Sequence, residues 1–235
     1  MNIRNEILEP NGYYHIYNRG INSGQIFNSE ENYLFFLSKF DKYISPVCDV
    51  LSYCLMPNHF HFLIKVKSEA DLENFVKVWN FDKDAQENLE NVPTETFAKV
   101  QDTPTFVKVS NFDKSENKSG LHATDAIVSK QIGKFISSYS QSYNKVNNRH
   151  GALLESPFKR KRIDTEEYLK NLIIYIHQNS NDLKKKFDTY KFSSYKAILS
   201  NAKTNILRQE VIDVFDGLEN FIYCHQHLQK LDFEF

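Results

Sequence analysis

Residues 51–66 read LSYCLMPNHFHFLIKV. An apolar run stops at Pro57-Asn58 and resumes with two histidines one residue apart, His59 and His61. β-rich residues on both sides of a Pro-Asn break predict two strands, 47–56 and 59–66, folded back on each other in antiparallel fashion. Side chains along a strand alternate faces, so His59 and His61 share one face, about 6.6 Å apart along the backbone. Phe60 and Phe62 take the other face, toward the core. The two imidazoles are therefore expected to point outward, away from the apolar set.

The same reading extends in both directions. GYYHIYNR (12–19) alternates like a first strand. In SEENYLFFLSKFDKYI (29–44), Ser29 is a plausible N-cap. Glu30 and Glu31 suit the first turn, and Tyr33, Phe36, Leu37 and Phe40 recur at helical spacing. A long helix is expected over 123–149, with Ile127, Ile132, Phe135, Ile136, Tyr139 and Tyr143 as its apolar stripe and Gly151 ending the element. ALLESPFKRKRI (152–163) resumes an extended pattern. TEEYLKNLIIYIHQNSN (165–181) is a helix that Thr165 caps and Glu166 and Glu167 complement at its positive end. A helical pair is expected near 207–229. Strand, helix, strand, strand, helix, strand, helix is the order of an α+β, ferredoxin-like antiparallel sheet with helices on one face, followed by an extra helix and a helical tail.

Residues 67–120 interrupt this order. They hold FVKVWNFDK (75–83) and FVKVSNFDK (106–114), the same nine residues but for one. Two copies are too few for a solenoid. The segment reads as a mostly exposed, β-prone insert, or as an added lobe that meets a ligand or partner. The expected division is 1–66 with 121–200 as one domain, 67–120 as the insert, and 201–235 as a helical extension.

Composition narrows the function classes. The chain has 235 residues, 41% hydrophobic and 14% aromatic, enough to bury a core. No apolar stretch approaches the ~20 residues that cross a bilayer, and MNIRNEILEP lacks the pattern of a signal peptide, so a cytoplasmic protein is expected. Three cysteines without CxxC spacing read as reduced thiols rather than a disulfide framework or zinc site. The net charge of −1 hides an uneven distribution. Residues 121–200 carry 14 Lys and Arg against 7 Asp and Glu, whereas 67–120 carry 7 against 11. A basic half of this kind suits nucleic acid.

Two neutral imidazoles on one face can share a divalent cation, or can simply be hydrogen-bonded, partly buried residues. On the 165–181 helix, Tyr175 and Asn179 are one turn apart on one face. Asn179 offers an oxygen, which beside imidazoles suits Mg²⁺ or Mn²⁺. Tyr175 offers a phenol, ordinarily titrating near ~10, that a neighbouring cation and an electrophilic phosphate would turn into a nucleophile. Its position within LIIYI equally fits a core aromatic. Lys159, Arg160, Lys161 and Arg162 can track phosphates, or can form a solvated edge strand. Tyr13, Tyr14 and Tyr17 can stack unpaired bases or pack in the core. His15 is either a cross-sheet neighbour of the histidine pair or a surface residue.

The string YYHIYNRG…YCLMPNHFHFLI…GALLESPFKRKRID..EYLKNLIIYIHQN resembles the single-tyrosine HUH transposases, and among them the REP-associated tyrosine transposase branch. The resemblance covers 12–66 and about 128–200. It implies that His59 and His61 bind a divalent metal, Mg²⁺ or Mn²⁺, that polarises a DNA phosphate. Tyr175 would attack the phosphorus to give a 5′-phosphotyrosine link and a free 3′-OH, and Asn179 would complete the metal site. It further implies that Arg19 touches DNA, that the substrate is single-stranded or hairpin DNA, that the protein works beside a prokaryotic nucleoid, and that it is a monomer or homodimer. The chain departs from the pattern at Asn179-Ser180, where many relatives have Asn-Pro, and at the 67–120 insert. Two other readings stay open: an idle descendant that only binds DNA hairpins, and a hydrolytic metalloenzyme acting on a small substrate with Tyr175 structural.

Overall fold

The computed structural model describes residues 6–78 and 122–227, with backbone alone for 122–125. Four strands, β1 (Tyr13–Arg19), β2 (Cys48–Met56), β3 (His59–Val66) and β4 (Lys159–Ile163), form one antiparallel sheet in the order β2-β3-β1-β4. The first and third strands are central, as the ferredoxin-like order requires. Pro57-Asn58 closes the β2–β3 hairpin.

Even-numbered residues of β1 and β3 form the first face. Tyr14, Ile16, Phe60, Phe62 and Ile64 pack there against α1 (Glu30–Tyr43) and α3 (His122–Val146). Phe40 stacks on Phe62 at 4.1 Å, and Phe36 meets Tyr139 edge-on at 4.8 Å. Offset and edge-on ring pairs of this kind add to the area they bury. Helix α3 ends at Val146, and Asn148 (φ 47°) takes the left-handed turn there, not Gly151 as its sequence position suggests.

The opposite face is covered too. Leu63 and Ile163 pack under α4 (Glu166–Gln178), and α5 (Tyr195–Leu199), α6 (Arg208–Val214) and α7 (Leu218–His227) close over α4 from outside. This explains LIIYI: Leu172, Ile173, Ile174 and Ile176 are all buried because sheet and tail each take one side of the helix. A register shift at Val50/Ser52 breaks the alternation of β2, sending Val50 to the first core and Leu51, Cys54 and Met56 to the second. Thr165 caps α4 by accepting the Tyr168 N–H. The helix stops at Gln178, short of 181, and a 3₁₀ turn covers Asn179–Leu183.

The expected β-prone insert begins differently. Residues 69–78 form helix α2, so the first four residues of FVKVWNFDK are helical, and Leu72 is buried in the first core. Anchoring one apolar side chain in an existing core favours the helical period over the local β propensity. The rest of the duplication lies outside the described residues.

Candidate active site

Odd-numbered residues of β1 face α4 together with the histidines of β3. The antiparallel register sets Tyr17 between His61 and Lys159, Arg19 opposite His59, and His15 opposite Leu63 and Lys161. Four rings converge from this row. His15 stacks on Tyr17 (4.6 Å between centroids) and on His61 (5.0 Å), and Tyr17 lies 5.8 Å from His61. From above, α4 lowers Tyr175 so that its ring meets His61 perpendicularly at 5.7 Å. His59 stands perpendicular to His61 at 5.2 Å. Tyr17, Asn18, Arg19, Asn58, His59, His61 and Lys159 line a cleft of about 250 Å³.

The outward placement of the histidines needs correction. His59 is half-buried at the cleft, and His61 is only 6% exposed, because α4 covers the face that the local pattern leaves polar. Each ring has its Nδ1 engaged: His59 Nδ1 is 2.7 Å from Asn58 Oδ1, and His61 Nδ1 is 2.8 Å from His15 Nε2. Ordering of the remote ring nitrogen is what metal-binding imidazoles ordinarily have. His15 is fully buried, so the surface alternative is excluded. Burial first, and the nearby Lys161 second, push its ring down to about 3, keeping it neutral. The Tyr17 hydroxyl is pushed up to about 12, chiefly by burial and then by Tyr168 and Tyr175.

Tyr175 is half-buried and at the site. Asn179 is 2% exposed, donates its amide nitrogen to the Tyr175 carbonyl at 2.8 Å, and is not among the residues that line the cleft. The basic run is divided by strand alternation. Lys159 and Lys161 lie on the site face, with Nζ 5.7 Å from the Tyr17 ring and 5.1 Å from the Tyr168 ring. Arg160 and Arg162 lie on the other face, where Arg160 donates to Ser129 Oγ (2.8 Å) and Arg162 pairs with Glu9 and Asp164. Arg19 is at the rim, bonded to Ser23 Oγ (2.7 Å) and 3.8 Å from Glu155. Glu155 also meets Lys159 at 3.5 Å, so one carboxylate faces two rim cations.

Among the described residues, no three or more His, Cys, Asp or Glu side chains cluster in a way that holds a metal. The pair nevertheless offers two imidazole donors of the kind divalent first-row metals take, and water can complete the shell of an ion held by so few side chains.

Sequence reading did not single out Asn58 or Glu155. Asn58 reads as a turn former, and nothing local marks Glu155, which reaches the rim by the Gly20–Leu154 bridge just past the end of β1. Tyr17 reads as a base-stacking or core aromatic, and only the β1–β3 register places it beside His61.

No family model matches the chain, and no curated protein matches it. Among solved structures, a REP-associated tyrosine transposase bound to a REP hairpin is similar over 86% of this chain and 87% of its own, with a TM-score of 0.46 and 10% identity. A likeness at that level carries no argument about activity; the geometry of the site has to. No helix among the described residues is long and apolar enough to cross a membrane.

Proposed function

We propose that this protein is a metal-dependent DNA nuclease and strand transferase that nicks single-stranded or hairpin DNA through Tyr175. The observation that carries the reading is the perpendicular approach of Tyr175 to His61 at 5.7 Å, beside His59 and above a cleft rimmed by Arg19 and Lys159. His59 and His61 would hold Mg²⁺ or Mn²⁺, with Asn179 as an oxygen donor, and the ion when bound neutralises charge on the phosphodiester. Tyr175 Oη forms the bond to phosphorus, the P–O3′ bond breaks, and the phenolic proton leaves to solvent while the 3′ oxygen departs as a hydroxyl. Arg19, Lys159 and Lys161 hold the strand by its phosphates, and DNA replaces Glu155 as the partner of Arg19 and Lys159.

The test is a hairpin oligonucleotide panel with Mn²⁺, read as an SDS-stable protein–DNA adduct and followed by mass spectrometry of the modified residue. An adduct on Tyr175 supports the proposal. Hairpin binding with no adduct on any sequence supports the idle hairpin-binding alternative, which the lack of a third clustered metal donor among the described residues favours.

The division of the basic run has its own expected outcome. Lys159→Gln with Lys161→Gln should flatten the dependence of log affinity on log salt by about 0.7–0.9 for each phosphate left without its lysine. Arg160→Gln with Arg162→Gln should leave that slope unchanged, because those side chains serve Ser129, Glu9 and Asp164. Titrations from low to moderate salt with the two double variants check this.

A further inference from the structure

The geometry points to His15 as a positioning residue that decides whether His61 Nε2 carries the lone pair that a divalent cation needs. The inference rests on the metal-dependent reading above.

A hydrogen bond between two neutral imidazoles has one donor and one acceptor. His15 Nε2 and His61 Nδ1 are 2.8 Å apart, with the rings stacked at 5.0 Å and inclined by 15°. If His61 donates from Nδ1, its lone pair is on Nε2, and the ring can ligate through that atom. If His15 donates from Nε2, His61 carries its own hydrogen on Nε2, and that nitrogen cannot bind a metal. Each ring keeps one N–H in either arrangement, so the two differ only in where the protons sit. Cation binding through His61 Nε2 therefore requires His15 to accept.

His59 meets the same requirement by a fixed partner. Asn58 donates its amide nitrogen to the Ser23 carbonyl (3.4 Å), which turns Oδ1 toward His59 Nδ1 at 2.7 Å. A carbonyl oxygen only accepts, so His59 donates from Nδ1 and carries its lone pair on Nε2. One imidazole of the pair is thus locked in the ligating tautomer, and the other is set by His15. The ring of Tyr17, stacked on His15 at 4.6 Å and tilted by 21°, holds His15 in that register. The remote nitrogen of a ligating histidine ordinarily meets a carboxylate, carbonyl or water; here a second, buried imidazole takes that place.

The experiment is Mn²⁺ binding by the full chain, measured by calorimetry and by the electron paramagnetic resonance signal of free Mn²⁺, with no DNA present. His15→Phe keeps an aromatic ring in the stack but cannot accept, and is expected to weaken Mn²⁺ by about 10–100-fold. His15→Gln places an amide oxygen near the position of Nε2 and is expected to stay within about threefold of the parent chain. Equal affinity in His15→Phe and the parent overturns the inference and leaves the metal-dependent reading standing. A parent chain that binds no Mn²⁺ overturns both. If His15→Phe does not fold, long-range ¹H–¹⁵N spectra of the parent's histidines with saturating Mg²⁺ decide. His61 protonated on Nδ1 supports the inference, and His61 protonated on Nε2 overturns it.

Discussion

Tyr175→Phe is expected to abolish the covalent adduct, lowering cleavage by more than about 10³-fold, while hairpin affinity stays within about twofold. The substitution removes one oxygen and no packing. The phenylalanine ring keeps the perpendicular contact with His61 and its place between the sheet and the tail helices, so α4 has no reason to move. What is lost is the atom that bonds to phosphorus, for which neighbouring hydroxyls are poor substitutes. Tyr17 is the informative control, since it lines the cleft more directly. It is only 7% exposed, and burial with Tyr168 and Tyr175 pushes its hydroxyl up to about 12. Tyr17→Phe should therefore leave the adduct in place. Gel analysis of the two variants beside the parent, at saturating Mn²⁺, separates the roles; an adduct that survives Tyr175→Phe and disappears in Tyr17→Phe would reassign the nucleophile.

The fold was legible in the sequence because its strands carry strong local signals. The Pro57-Asn58 break fixes a hairpin, and period-two alternation in 12–19 and 59–66 fixes the faces. Thr165 with Glu166 and Glu167 fixes the start of α4. What local pattern cannot supply is which layer covers a face. The polar face of β3 looks solvent-bound until α4 is laid on it, which turns His61 and His15 from surface residues into buried ones. The basic run shows the same limit. Four consecutive cations look like one patch, yet β4 turns Lys159 and Lys161 onto the α4 face of the sheet, Lys159 alone lining the cleft, and turns Arg160 and Arg162 onto the other face. The role of Asn58 depends on the amide orientation fixed by Ser23, a partner 35 residues distant in the chain.

Stability should fall by about 2 kcal/mol between pH 7 and pH 5 from one buried histidine of the tail, His225, a shift of roughly 4–8 °C in Tm for a chain of this size. His225 Nδ1 is 2.7 Å from the Phe221 carbonyl, which can only accept, so the ring donates there and accepts at Nε2. His177 Nδ1, 2.8 Å away, must then be the donor, and His177 Nε2 accepts from Ser194 Oγ at 2.7 Å. Ser194 Oγ in turn accepts from the Tyr53 N–H at 2.8 Å. The relay runs in one direction and ties α7 to α4 and to strand β2. Around it stand Tyr195, Phe187, Phe215 and Phe221, apolar rings that do not favour a charge. Burial accordingly pushes His225 down to about 4, against the Phe221 carbonyl, which raises it, and pushes His177 down as well, with His225 as the second cause there. Because the folded ring titrates below its unfolded value near 6.5, the unfolded chain takes up the proton first as the solution is acidified. The stabilisation is thus fully present above about pH 6.5 and is lost as pH falls toward 4. An added proton on His225 Nε2 would set two donors against each other across 2.8 Å and loosen the helix that carries Tyr175. Thermal melts from pH 7.5 to 4.5 check this against His225→Leu. That variant should be less stable at neutral pH, because His177 loses its acceptor, but should show a shallower decline below pH 6.5. Parallel declines in the two proteins would place the acid sensitivity outside this relay.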